Sequence, residues 1–138
     1  MSTTFEATYE ATPESISLVR HQMAVLAQDC GLDEMAISDV KLAVSEAATN
    51  ALVHGYRNGA GKIRVEAGRA GGELVIIVGD DGGGMKPRRD SPGLGLGLPV
   101  IARLANRLEI SESNGPGTEL RMAFDCPRAA APVQPVFG

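Results

Sequence analysis

The sequence predicts a two-layer α/β (α+β) sandwich, with helices on one face of a mixed, largely antiparallel sheet. Three observations carry this. The apolar pattern changes period along the chain in the order β-α-α-β-β-α-β-β. Two pairs of short apolar runs are each joined by a glycine-containing turn, as hairpins are. The longest helical stretch carries a stripe of small apolar residues on one side, which suits close packing on a sheet.

The elements follow in order. Residues 3–9 (TTFEATY) partly alternate and read as a short strand. Thr12-Pro13-Glu14 is a helix start: a hydroxyl N-cap, a proline in the first turn, then an acid near the positive end of the dipole. Ile16, Val19, Met23 and Leu26 continue at helical spacing, and Gly31 reads as the stop. A second helix starts near Asp33. Its stripe is Ile37, Val40, Val44, Ala47, Ala48, Ala51 and Leu52, and it ends near Gly55. Residues 62–69 and 73–78 read as paired strands around Gly71-Gly72. The second is almost wholly apolar, as a strand buried on both faces is. Residues 98–106 read as a helix, and 108–111 with 119–124 as a last strand pair. One domain is expected over residues 1–126, followed by a disordered Pro- and Ala-rich tail over 127–138.

Composition excludes several classes. The chain has 138 residues and a formal net charge of −4, and no Lys/Arg run longer than Arg88–Arg89, so nucleic acid is not expected as a direct ligand. No run of about 18 apolar residues is present, so no membrane span is expected. The N-terminus lacks a basic start and an apolar run, and Cys30 and Cys126 have no CxxC spacing. The chain therefore reads as cytoplasmic, without a zinc site or a disulfide framework. Glycine is in excess: 17 against about 10 expected at ~7%. Seven of these lie between Gly79 and Gly97.

Three constellations carry candidate chemistry. Glu46, Asn50 and His54 are spaced i, i+4, i+8, so they share one face of the second helix, about 6 Å apart per step along its axis. A carboxylate and an amide so placed suit Mg²⁺, which takes few protein oxygens. The carboxylate alone suits a general base. The same pattern also fits a solvated helix face. The apolar strand 73–78 runs on into Asp80-Asp81 and then Gly82-Gly83-Gly84. A carboxylate there can accept a hydrogen bond from an exocyclic amine while the glycines let backbone approach a ring. An acidic turn is the simpler alternative. Gly93, Gly95 and Gly97 open a helix, where backbone N–H groups meet anions; a flexible hinge is the other reading. The dinucleotide fingerprint, the Walker loop and the eukaryotic-type kinase motifs are all absent.

The order of these pieces resembles the GHKL (Bergerat-fold) ATPase superfamily, and within it the small bacterial anti-sigma factor serine/threonine kinases. The N-box-like stretch is Val44-Ser45-Glu46-Ala47-Ala48-Thr49-Asn50-Ala51-Leu52-Val53-His54-Gly55-Tyr56. The G1-like box is Asp80-x-Gly82-x-Gly84, the G2-like box is Gly93-Leu94-Gly95-Leu96-Gly97-Leu98, and Gly117-Thr118 closes the series. The resemblance covers residues 5–125.

That resemblance implies ATP or ADP as ligand and Mg²⁺ as cofactor. Asn50 would ligate the Mg²⁺, and Glu46 would act as general base or water-positioner for the attacking serine hydroxyl. Asp80 would bind the adenine amine, with Gly82 and Gly84 passing close to the ring. The segment Gly93, Leu94, Gly95, Leu96, Gly97 and Leu98 would hinge a lid and meet the phosphates. Thr118 would support the adenine contact. His54 matches the family pattern as a helix-end residue. Lys86, Arg88 and Arg89 fall in the lid segment, where they either cover phosphate or stay exposed. By the same resemblance the chain holds a sigma factor and phosphorylates an anti-anti-sigma antagonist of STAS type. Arg20 on the first helix would contact these partners, and the chain would form a homodimer. A nucleotide-gated binding module that switches partners without phosphotransfer is the alternative. A detached sensor-kinase catalytic domain fits less well, because no helical histidine hairpin precedes the short lid.

Overall fold

The computed structural model describes residues 1–55, 61–80, 94–112 and 117–127. It contains β1 (Ser2–Glu10), α1 (Pro13–Asp29), α2 (Glu34–Gly55), β2 (Lys62–Ala70), β3 (Glu73–Asp80), α3 (Leu94–Leu104), β4 (Arg107–Glu112) and β5 (Thr118–Asp125). The order of elements is the predicted one. The expected disordered tail lies outside the described residues except for Pro127.

The five strands form one sheet in the order β1-β2-β3-β5-β4. Every neighbouring pair is antiparallel, so the expectation of a mixed sheet is corrected. The reason is the insertion of β5. β3 and β4 run in the same direction across a helical connection, but β5 lies between them and pairs antiparallel with both.

Local sequence explains the ends of the helices. Thr12 Oγ1 accepts from the Ser15 amide at 3.3 Å, and Pro13 occupies the first turn, where no amide donor is needed. At the other end of α1, Gly31 adopts φ +84°, and the Leu32 amide reaches back to the Ala27 carbonyl at 3.1 Å. This is the glycine-dependent stop that the sequence predicts. Asp33 caps α2, its Oδ1 accepting from the Ala36 amide at 2.8 Å. The β2–β3 turn needs Gly71, whose φ is +59°.

The last helix departs from expectation. α3 begins at Leu94, four residues before the predicted start at Leu98, and so contains Gly95, Gly97 and Pro99. Leu94, Leu98, Ile101 and Ala105 repeat at helical spacing, and that pattern outweighs a glycine cost of about 1 kcal/mol each. Ile101 and Ala105 are buried. The helix also stops earlier than predicted. The Asn106 amide leaves it to bond the Ala123 carbonyl at 2.8 Å, and Asn106 Oδ1 accepts from the Asp125 amide.

The core lies between the helices and one face of the sheet. Val19, Met23 and Ala27 of α1 and Val40, Val44, Ala47 and Ala51 of α2 pack against the sheet. Their partners are Ile63, Val65 and Ala67 of β2, Leu74, Ile76 and Val78 of β3, and Leu120, Met122 and Phe124 of β5. The opposite face carries a small apolar strip of Val75, Ile77 and Ala123. Flanking it are charged pairs: Arg64–Glu119 at 2.6 Å, and Arg107 with Glu73. The Glu73 contact pushes the Arg107 guanidinium further up from its ordinary range. Among the described residues no helix is long and apolar enough to cross a membrane.

Candidate functional site

Four polar or charged residues are buried among the described residues: Ser15, Asn50, Asp80 and Thr118. Ser15 is explained by the cap of α1, where its hydroxyl lies 3.1 Å from that of Thr12. The other three are residues the sequence marks as candidates.

The sheet positions two of them. Side chains alternate along a strand, so Asp80 lies on the face of Leu74, Ile76 and Val78, toward the helices. It is 1% exposed. Thr118, 4% exposed, lies on the face of Leu120, Met122 and Phe124 by the same alternation. Gly79 pairs with Glu119, and continuing that register by one residue sets Thr118 opposite Asp80. A carboxylate and a hydroxyl therefore share one end of the sheet, beneath the helical layer.

Asn50 comes to the same end on α2. That helix packs on β3. Its C-terminus at Gly55 leads through residues 56–60 to Lys62, and the start of β2 pairs with the end of β3, Ile63 with Asp80. Asn50 is 3% exposed, and its Nδ2 has no hydrogen-bond partner among the described residues. An unsatisfied buried amide costs roughly 1–3 kcal/mol. The two ends of an amide are exchangeable by a flip, so the same position can offer a donor to an anion or an oxygen to a cation. Glu46 is half-buried one turn earlier, about 6 Å back along the axis. Its neighbours Val44, Ala47 and Ala48 are buried, which places it at the edge of the packed seam.

α3 packs against α2, the helix that carries Asn50. Asn106, just beyond the C-terminus of α3, is tied to Ala123 and Asp125 at the opposite end of the sheet from Asp80. The helix itself is roughly 16 Å long and has Gly95 and Gly97 in its first turn. Leu98 is half-buried and packs against the core, so its visible role is structural. The side chains of His54, Leu94 and Leu96 lie outside the described residues, as do Gly82, Gly84, Lys86, Arg88, Arg89 and Gly93.

The residues present fit Mg²⁺ with nucleotide phosphates. Among the described residues no group of three or more His, Cys, Asp or Glu side chains converges as a metal cage. An amide and a carboxylate one turn apart are a sparse oxygen set of the kind Mg²⁺ uses when phosphates and water complete its shell.

Arg20 lies elsewhere, exposed on α1. It lines a shallow groove with Ser38, Lys41, Leu42 and Ser45 of α2. Of these four, only Ser45 enters the sequence reading, within the N-box-like stretch. Their signal was present: Ser38, Lys41, Leu42 and Ser45 follow one another at helical spacing on the side of α2 away from Val40, Val44 and Ala47.

A family model described as a histidine kinase-like ATPase domain matches residues 9–124. The chain belongs to the histidine kinase-like ATPase domain family. Nucleotide binding goes with that membership, and the buried Asn50, Asp80 and Thr118 lie within the matched span. An anti-sigma F factor from Clostridium kluyveri is 38% identical over 120 residues, which cover 79% of this chain and 83% of the relative. One from Thermoanaerobacter sp. is 32% identical over 128 residues, covering 85% and 90%. Among solved structures, the RsbU and RsbW domains of a Mycobacterium tuberculosis protein match this ATPase domain with a TM-score of 0.70 at 28% identity. The match covers 91% of this chain and 32% of that one, so the chain spans about a third of that solved protein.

Proposed function

We propose that this chain is an ATP-binding anti-sigma factor that also acts as a protein serine/threonine kinase toward an anti-anti-sigma antagonist of STAS type. The observation that carries this reading is the burial of Asn50, Asp80 and Thr118 at one end of the sheet in a chain of an ATPase family. The curated relatives named anti-sigma F factor support the regulatory half.

In this reading one domain over residues 1–126 does the work, in the cytoplasm and as a homodimer. The Asp80 carboxylate accepts a hydrogen bond from the adenine amine, and Thr118 supports that contact. Gly82 and Gly84 let backbone approach the ring. Asn50 supplies the amide oxygen that holds Mg²⁺ against the phosphates. Bound Mg²⁺ neutralises phosphate charge, which is most of what phosphoryl transfer asks of its surroundings. The turn Gly93, Leu94, Gly95, Leu96, Gly97 and Leu98 presents backbone N–H groups to the phosphates. Glu46, at the rim of the site, takes the proton of the attacking serine or threonine hydroxyl. Arg20, exposed on α1, meets the sigma factor and the antagonist.

The test is phosphotransfer from γ-labelled ATP, with Mg²⁺, to an anti-anti-sigma protein encoded in the same genome. The expected product is phosphoserine or phosphothreonine on the antagonist. Glu46→Gln should keep ATP affinity within about threefold and lower transfer at least ~100-fold, the lower bound for losing a general base. Tight ATP binding with no transfer by the wild type would leave a nucleotide-gated partner switch in place of a kinase. Normal transfer by Glu46→Gln would remove Glu46 from the role of base.

A further inference from the structure

We propose that Cys30 and Cys126 are a paired-thiol modification site that closes, on oxidation, into a single intramolecular disulfide joining the end of α1 to the end of β5. No CxxC spacing announces this pair, because the two residues meet only through the fold.

Cys30 caps the C-terminus of α1, its amide bonded to the Leu26 carbonyl at 2.9 Å. Cys126 is the first residue after β5, its amide bonded to the Gly72 carbonyl at 2.7 Å. Both side chains are buried thiols in the same core cluster. The next residues along the two segments also meet: a Cβ built on Gly31 would stand 3.5 Å from Pro127 Cγ, an ordinary contact. The end of α1 and the end of β5 therefore come into contact here, each held by its own hydrogen bond.

Burial pushes the Cys30 thiol up, and the neighbouring Cys126 adds to that, against a smaller opposing pull from Arg69. A thiol held in its neutral form reacts slowly. The pair is thus suited to sustained oxidation, where the product persists as a staple, and not to a fast peroxide sensor.

The step balances with a peroxide as oxidant. One thiol is oxidised to the sulfenic acid as the O–O bond breaks and water leaves. The second sulfur then attacks the first, the S–S bond forms and a second water leaves. A low-molecular-weight disulfide does the same by exchange, releasing two thiols. Reduction by a dithiol reverses either route.

The cross-link closes a loop of roughly 100 residues, which constrains the unfolded chain strongly. It lies far from the proposed nucleotide site. Cys126 follows Asp125, which pairs with Glu73 at the start of β3, and Asp80 is at the other end of that strand, roughly 24 Å away. The disulfide should therefore change stability and leave ATP affinity alone.

The experiment treats the native, fully reduced protein with diamide or hydrogen peroxide and follows intact mass, peptide mapping and thermal unfolding. The expected results are a loss of two hydrogens per chain, a linked Cys30–Cys126 peptide and a monomeric species on a non-reducing gel. The unfolding midpoint should rise by about 5–15 °C and return on reduction. Cys30→Ser and Cys126→Ser should each abolish the rise, and Cys30→Ala with Cys126→Ala serve if the serine variants fold poorly. Thiols that stay free, cross-links only between chains, or a linked peptide without a rise in midpoint would each overturn the proposal. ATP titration of the oxidised protein separates this site from the nucleotide site: an affinity change above threefold would contradict their independence.

Discussion

Where β3 ends and β5 begins, the helix-facing positions of the sheet are Asp80 and Thr118. At the opposite end of the same two strands, the same face carries Leu74 and Phe124, with Cys126 just beyond. The strands, their register and their burial are alike at the two ends; only the chemistry differs. A carboxylate, a hydroxyl and an amide whose Nδ2 has no partner among the described residues are buried at one end, and hydrocarbon and sulfur at the other. Burying polar groups costs free energy unless they are satisfied. Under the proposed function, the contrast separates an end that holds the domain together from an end kept polar for a ligand.

The comparison can be broken from either side. The largest effect is expected at the apolar end. Leu74→Ala should destabilise by about 2–5 kcal/mol in chemical denaturation, the range for truncating a buried leucine. ATP affinity of the folded fraction should stay within about twofold; a large loss of affinity would show that the two ends are not separable. Next comes Asn50→Ala at the polar end. It removes an amide whose Nδ2 has no partner among the described residues, so stability should change by less than about 1 kcal/mol. Calorimetry should show Mg²⁺-dependent ATP binding weakened by about 10–100-fold, the worth of a contact to a charged group. A destabilisation as large as that of Leu74→Ala would make Asn50 a structural residue. The smallest effect is expected on the outer face. Arg64→Ala breaks the half-exposed pair with Glu119 and should cost less than about 1 kcal/mol, with no change in ATP affinity.

How much of this was legible in the sequence depends on whether the signal is local. Thr12, Gly31 and Gly71 act through their own backbone neighbourhood, and each does what its residue type predicts. The start of α3 was misplaced because Gly95, Gly97 and Pro99 argue locally against a helix, while Leu98 and Ile101, packed in the core at helical spacing, argue for one. The purely antiparallel sheet was hidden because nothing in β5 states that it will insert between β3 and β4. Within the site, Glu46 and Asn50 share a helix face and could be grouped by spacing. Asp80 and Thr118 are far apart in sequence and are brought together by strand register alone, so only the resemblance linked them in advance. The proposed pairing of Cys30 with Cys126 arises between elements and leaves no spacing to read, whereas the groove beside Arg20 draws on a stripe of α2 whose spacing alone does not name the helix it faces.

The central claim is that Asp80 makes the polar end an adenine site, and base discrimination tests it most directly. ATP carries an amine where inosine triphosphate carries a carbonyl, and a buried carboxylate accepts from the first and repels the second. Calorimetric titration of the wild-type protein with each nucleotide, in Mg²⁺, should favour ATP by at least about 100-fold. Asp80→Asn, whose amide can donate to the carbonyl, should lose most of that preference while unfolding at nearly the wild-type midpoint. Equal binding of the two nucleotides by the wild type, or an undiminished preference in Asp80→Asn, would contradict the account.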